Sequence, residues 1–323
     1  VGDVPVLSDE WWDMMRWAVS EGKRTGVDIG IFNCPGWSQS GGPWITPDKT
    51  MRYLAHTETR VVGPQILKRK MPAPVKENFQ DVALLAFPAG AVRENLLLDS
   101  EMIIRTPQNL KEVNNIFDGD HKTSALFGSS GQDDTIITLF IDLEKEIKPQ
   151  SLTIFPANVP IYANFRFYAY EAGSYRLAKE TLIDRMNPQI IVGFEPYAPI
   201  ALSLPEISSG QYKVEIEFIP SPRNTILKGG LKEIELSRTP VLEYFKEKQL
   251  AKMNQIPWFY GHEYSWPEQA EPTSANGIIN SQDIINLSDK VDKDGSLNWN
   301  VPEGEWIIQR IGMTPTGVTN HPT

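Results

Sequence analysis

The residues with the clearest capacity for chemistry lie between Asp28 and Asp48, in the stretch DIGIFNCPGWSQSGGPWITPD. Trp37 and Trp44 sit there among Pro35, Gly36, Gly41, Gly42 and Pro43. An indole on a glycine-rich loop presents a flat apolar face suited to the C–H face of a sugar ring, and Asn33, Ser38, Gln39 and Ser40 offer hydrogen bonds to hydroxyls. Asn33, Trp37, Ser38 and Trp44 are therefore the candidate substrate contacts. Taken alone, the same pattern reads first as two indoles folded back as a lid over the barrel end. Two other chemistries are excluded. Gly36-Trp37-Ser38-Gln39-Ser40 ends in Ser where a nucleophile elbow needs Gly, and no Lys-Ser or Lys-Thr follows the glycines as a phosphate loop requires. A second candidate is Glu263, beside His262 in the aromatic segment IPWFYGHEYSWP. Adjacent residues need not face each other, and no second His stands at metalloprotease spacing, so the pair marks the rim of a cleft or a loop coincidence.

These residues need elements to position them. Val27 to Phe32 reads as a buried strand, and Thr46-Pro47-Asp48 carries the cap, first-turn proline and acidic first turn of a helix start. Strand, rich loop and helix together describe a βα active-site loop. Ahead of it, Ser8 to Gly26 predicts a helix: Ser8 caps, Asp9 and Glu10 occupy the first turn, Lys23 and Arg24 the last, and Gly26 suits the left-handed stop. Its Trp11, Met14, Met15 and Ala18 stripe predicts core packing. The short link from Gly26 to Val27 is αβ barrel spacing. Extended stretches at Glu58 to Gly63 and Val82 to Phe87, joined through Met71 and Pro74, complete about two of the eight units of a barrel. After the middle of the chain, Pro240 to Met253 predicts a returning helix, and Leu297 to Val301 and Trp306 to Gly312 predict strands. Asp292-Lys293-Asp294-Gly295 is a turn before them; as a calcium loop it fails, because Lys290 and Val301 fall where ligands belong.

Between about Pro88 and Thr239 the pattern changes to short alternating runs with turn residues between them: Ile136 to Asp142, Ser151 to Pro156, Phe165 to Glu171, Tyr212 to Ile219 and Gly230 to Leu236. That is the pattern of an antiparallel β-sandwich. The expected fold class is thus α+β multidomain, with partial (β/α) TIM-type barrel segments (1–88 and 240–323) interrupted by the sandwich at 89–239. Loop aromatics such as Phe127, Tyr162, Tyr175 and Tyr197 are candidates for sugar stacking, but each reads first as an ordinary sandwich aromatic.

Composition sets the bounds. The 323 residues are 41% hydrophobic and 22% charged, with 9 Trp and a net charge of −10, which suits a folded protein long enough for two domains. The acidic balance disfavours nucleic acid and anionic membrane surfaces, and no run reaches the length of a membrane span, so no membrane insertion is expected. The single Cys34 excludes an internal disulfide and a cysteine-built zinc site.

The run NCPGWSQSGGPWITPDKTMRYL, preceded by LSDEWWDMMRWAVSEGKRTGVDIG, resembles the catalytic-domain segment of glycoside hydrolase family 106, α-L-rhamnosidase-like enzymes common in Bacteroidetes. The similarity continues through TETRVVGP and DVALLAFP and resumes as DGSLNWNVPEGEWIIQRIGMTPTGVTNHP, about half the chain. The middle, with IFDGDHKTSALF, ITLFIDLEKEIKPQSLTIF, FRFYAYEAGSYRLAKE and a closing KEIELS, is similar to discoidin or galactose-binding-like jelly rolls.

These resemblances imply a carbohydrate substrate and an inverting mechanism with two glutamates as acid and base. Neither glutamate falls on a matching motif here, which places the pair in family segments expected beyond Thr323. Of the carboxylates nearest the matching blocks, Asp28, Asp81 and Glu305 sit at strand starts, the end of a barrel away from its chemistry, which leaves Glu263. They also imply calcium, in or near the active site or wrapped by Asp118, Asp120 and Thr123 of the sandwich, whose carboxylate, hydroxyl and carbonyl oxygens suit a hard cation. A plain Asp-Gly turn binding nothing fits that segment as well. A periplasmic or secreted location follows from the resemblance, with the signal peptide expected upstream. As alternatives, the chain by itself is a non-catalytic carbohydrate-binding module or a structural one.

Overall fold

The structure is a computed structural model and describes residues 3–5, 7–30, 46–74, 78–90, 94–108, 110–128, 135–186, 195–220, 228–249, 266, 268–272 and 277–316. The chain divides into two compact units, residues 1–46 with 319–323, and residues 47–318.

The first unit contains helix α1, Asp9–Thr25, bounded by the residues that predict it. Ser8 Oγ accepts the Trp11 N–H at 3.1 Å, and Gly26 closes the helix at φ 73°. The expected core packing of its apolar stripe is not observed. Gly22 is the buried residue of this helix, while Met14 is 57% exposed and Trp11, Met15 and Ala18 are half-buried. An amphipathic stripe is only a capacity to pack, and it stays open where no surface covers it. Residues 27–30 form no strand, and the remainder of the strand expected to Phe32 lies outside the described residues.

The helix expected from Thr46 is instead a single 3-10 turn, Pro47–Lys49, after which the chain extends as strand β1, Arg52–Lys70. The capping signals are real but local; from Arg52 onward burial alternates with period two, and strand pairing overrides them. β1 joins β2 (Gln80–Pro88), β12 (Ile285–Asn286) and β13 (Ser296–Pro315) in a sheet of order β1-β13-β2-β12, antiparallel at every pairing. The strands expected at 58–63, 82–87, 297–301 and 306–312 are thus present, but not as barrel strands. A (β/α) barrel needs parallel strands, and these lie antiparallel. Of the returning helix expected over 240–253, the described residues form one turn, α2, Phe245–Lys248, and 250–253 lie outside them. One face of the sheet buries Val61, Leu67, Leu84, Ala86, Trp299 and Ile308. Where β1 and β13 bend, they approach so closely at Gly63 that a Cβ there would stand 1.8 Å from the Pro302 carbonyl oxygen. The Asp292–Gly295 turn closes as expected, with Gly295 N–H donating to Asp292 O at 2.8 Å.

The sandwich is built from two further sheets. One has five strands in the order β3 (Met102–Arg105), β5 (Ile136–Ile147), β10 (Ser209–Phe218), β7 (Tyr162–Glu171), β8 (Ser174–Asp184). The other has four: β4 (Ala125–Phe127), β11 (Gly229–Ser237), β6 (Ser151–Pro156), β9 (Ile200–Ser203). Alternate residues face inward, giving a core of Phe165, Phe167, Tyr212, Val214, Leu139, Leu152, Ile154 and their neighbours. Phe167 and Tyr212 stack at 5.2 Å, and the buried Tyr212 hydroxyl donates to Ile147 O at 3.1 Å. After β11 the chain is pinned back onto the sandwich by buried polar groups. Glu243 accepts from Lys179 Nζ and Ser203 Oγ, both at 2.5 Å, and Arg185, 3% exposed, pairs with Glu247 and donates to Ala198 O at 2.9 Å.

Phe167→Ala should destabilise the sandwich by about 3–5 kcal/mol in urea unfolding, whereas Leu126→Ala, at a 59% exposed position, should cost within about 0.5 kcal/mol.

Candidate metal loop and substrate-facing residues

The segment Asp118–Thr123 follows a 3-10 turn at Val113–Ile116 and is folded by its own side chains. Asp118 Oδ1 accepts the Asp120 N–H at 2.8 Å, Asp120 Oδ1 accepts the Lys122 N–H at 3.0 Å, and the Thr123 hydroxyl donates to Asp118 Oδ2 at 2.8 Å. These are Asx turns, the reason Asp recurs here, and Gly119 takes the left-handed φ of 74° between them.

The loop covers a residue that the sequence does not announce. Glu233 of β11 is fully buried; its Oε2 accepts the Gly119 N–H at 2.8 Å, and its Oε1 has no hydrogen-bond partner. Burial pushes this carboxyl up to about 8, and the Asp118 and Glu235 carboxylates push the same way. Glu235 meets His121 Nε2 at 3.2 Å, and the His121 ring packs edge-on against Phe155 at 4.3 Å. In the sequence, Glu233 and Glu235 alternate with Ile234 and Leu236 and read as a solvated strand face. Only the arrival of the 118–123 loop, more than a hundred residues away, buries one of them. No local signal could have found it.

The oxygens of this segment are of the kinds that calcium accepts. Among the described residues there is no group of three or more His, Cys, Asp or Glu that could hold a metal by itself. Asp118, Asp120 and Glu233 are therefore not gathered round one point in this structure; what the segment shares with a calcium site is its mixture of carboxylate, hydroxyl and backbone carbonyl oxygens. A buried carboxylate oxygen without a donor is the atom a cation would satisfy.

The other candidates stand differently. Asn33, Trp37, Ser38, Trp44 and Glu263, with His262, all lie outside the described residues. With the barrel strands gone, the argument that set Asp81 and Glu305 at the remote end of a barrel goes too. Asp81 is set aside instead by its bonds: Arg310 Nε and an Arg310 terminal nitrogen each donate to it at 2.7 Å, holding its carboxyl below the usual range. Glu305 lies 3.7 Å from Arg60 on an exposed surface, and Asp28 is exposed.

Comparison with known proteins places this architecture. Residues 2–323 match the model of a glycoside hydrolase family. The chain belongs to glycoside hydrolase family 106, described as alpha-L-rhamnosidase. The structure of a rhamnosidase from Novosphingobium sp. PP1Y superposes over 100% of this chain and 29% of its own, with a TM-score of 0.60 and 20% identity, which shows a shared fold. A protein of Formosa agariphila described as "Putative beta-glucuronidase" is 36% identical over 120 residues, 32% of this chain and 10% of that protein. The chain therefore spans under a third of the length of either. Among the described residues, no helix is long and apolar enough to cross a membrane.

Glu233 makes the metal loop testable by pH. Its carboxyl keeps its proton to about 8 when folded and loses it near 4.5 when unfolded, so in chelator stability is full below 4.5 and falls as pH rises toward 8. The expected loss is on the order of a few kcal/mol. Thermal unfolding at a series of pH values should show this slope, and Glu233→Gln should flatten it and raise the melting temperature at pH 8. Excess calcium should reverse the slope, because the ionised carboxylate is the ligand form.

Proposed function

We propose that this chain works within an α-L-rhamnosidase-like glycoside hydrolase that cleaves a plant or host polysaccharide outside the cytoplasm, in the periplasm or after secretion. The observation that carries the reading is the family match across residues 2–323. The loop of 28–48 presents Asn33, Trp37, Ser38 and Trp44 to the sugar, stacking on indoles and bonding through amide and hydroxyl. On this reading the residues up to 46 contribute a (β/α) barrel segment, and 89–239 is an inserted galactose-binding-like module. Calcium, held by Asp118, Asp120, Thr123 and Glu233, braces that module by supplying positive charge to a buried carboxylate.

Family 106 chemistry is inverting. One carboxylic acid protonates the leaving oxygen and a second carboxylate, roughly 6.5–9.5 Å away, activates water on the opposite face of the ring. Glu263 is the candidate from this chain for one of the two. The second reading, a non-catalytic carbohydrate-binding or structural module, has its own support: the carboxylates nearest the family blocks among the described residues are ion-paired, as Asp81 is, or openly exposed, as Asp28 and Glu305 are.

The full-length protein assayed on an aryl α-L-rhamnoside decides between them. Hydrolysis with inversion, followed by proton NMR of the released anomer, is expected. Trp37→Ala and Trp44→Ala should each lower kcat/KM by about 3- to 10-fold. Glu263→Gln should lower kcat by about 10²–10⁴-fold if it is the acid or base. No turnover of any rhamnoside, with sugar binding retained, would establish the binding-module reading.

A further inference from the structure

Two cavities in the larger unit share a wall. The first, about 360 Å³, opens over the outer face of the four-stranded sheet of the sandwich and is lined by His121, Phe155, Tyr197 and Lys232 together with Glu195 and Lys246. The second, about 450 Å³, runs beside β1 and β13 and is lined by Tyr53, His56, Gln309 and Ile311, again with Glu195 and Lys246. The shared wall is itself an ion pair, Lys246 Nζ to Glu195 Oε2 at 2.6 Å. The two spaces therefore adjoin across this ion pair, as a groove interrupted by it, from the sandwich to the antiparallel sheet that carries the family blocks.

The lining describes a ligand. Each cavity is of the size that holds one or two sugar rings. Each offers aromatic rings beside polar groups: His121, Phe155 and Tyr197 in the first, Tyr53 and His56 in the second. Rings of this kind stack on the apolar faces of sugars. The charges nearly cancel, Lys232 and Lys246 against Glu195 and, behind His121, Glu235. A groove whose ammonium and carboxylate groups already answer one another attracts no net charge, but offers donors and acceptors to vicinal hydroxyls. Lys232 is held in place by Asn158, with Nζ to Oδ1 at 2.8 Å, and Lys246 by Glu195.

We propose that this groove is a binding cleft for a neutral oligosaccharide chain, with one sugar on His121, Phe155 and Tyr197 and a following one on Tyr53 and His56. The choice of a glycan as ligand rests on the glycoside hydrolase reading; the site itself rests on the lining. Such a cleft would favour chains of several sugars over single ones.

Isothermal titration of the full-length protein tests this with neutral tetrasaccharides (galactotetraose, arabinotetraose, xylotetraose, cellotetraose), their monosaccharides, and tetragalacturonic acid. The expected result is that at least one neutral tetrasaccharide binds about tenfold or more tighter than its monosaccharide and tighter than tetragalacturonic acid. Tyr197→Ala and His56→Ala should each weaken that binding by about 3- to 10-fold. Melting temperature and aryl rhamnoside hydrolysis should be unchanged in both variants. The proposal is overturned if no neutral tetrasaccharide binds, if both variants bind like the parent, or if tetragalacturonic acid is preferred. Loss of the glycosidase reading shows separately, as absent aryl rhamnoside hydrolysis with the groove's binding intact.

Discussion

The pairing of β1 with β13 is the interaction on which the larger unit depends. Its register runs from Arg52 opposite Pro315 to Lys70 opposite Ser296, broken once between Gly63 and Gln65, so the two ends of that unit are paired on both sides of the break. Closing a loop of this size costs chain entropy, but the cost grows only logarithmically with length, so an intervening module adds little once it is folded. β2 lies against the other side of β13, and β12 against β2, so the chain leaves the sheet and returns to it at neighbouring strands. The sandwich hangs from that point. Its own entry and exit are tied together as well, Leu96 N–H donating to Leu236 O at 2.8 Å.

Much of the strand content was legible because it rests on period two, and period two survives whatever surrounds it. The five strands expected in the sandwich all form, as do those expected at 58–63, 82–87, 297–301 and 306–312, whereas residues 27–30 of the strand expected to Phe32 do not. The α1 boundaries were legible for the same kind of reason, since caps act within four residues. What misled was the inference from element to partner. Thr46-Pro47-Asp48 is a good helix start, yet the next residues alternate, and the 52–70 strand is decided by β13, some two hundred and fifty residues on. Whether strands run parallel or antiparallel is a property of pairs, and no single segment records it.

The site divides in the same way. Asp118, Asp120 and Thr123 were readable because Asx turns are local. Glu233 was not, because its meaning comes from burial under a loop that is distant in sequence. Its neighbours show how differently equal carboxyls can be treated. Asp81 is drawn below its usual range by a guanidinium, Glu243 is lowered against burial by Lys179 and Ser203, and Glu233, given backbone N–H groups but no cation, is raised. Burial is common to the last two; the supply of donors decides the sign.

The pairing of the two ends also has a consequence in time. During synthesis β1 leaves the ribosome long before β13 exists, whereas the sandwich is complete once Ser237 has emerged. Domains fold as units while the chain is still being made, so the later module in position is the earlier one to fold. In the interval β1 and β2 have unsatisfied edges, and the Lys68, Arg69 and Lys70 run at the end of β1 is the kind of charge that keeps a waiting edge from pairing with the wrong chain. The sheet that bears the family blocks is thus the last part of this unit to be assembled.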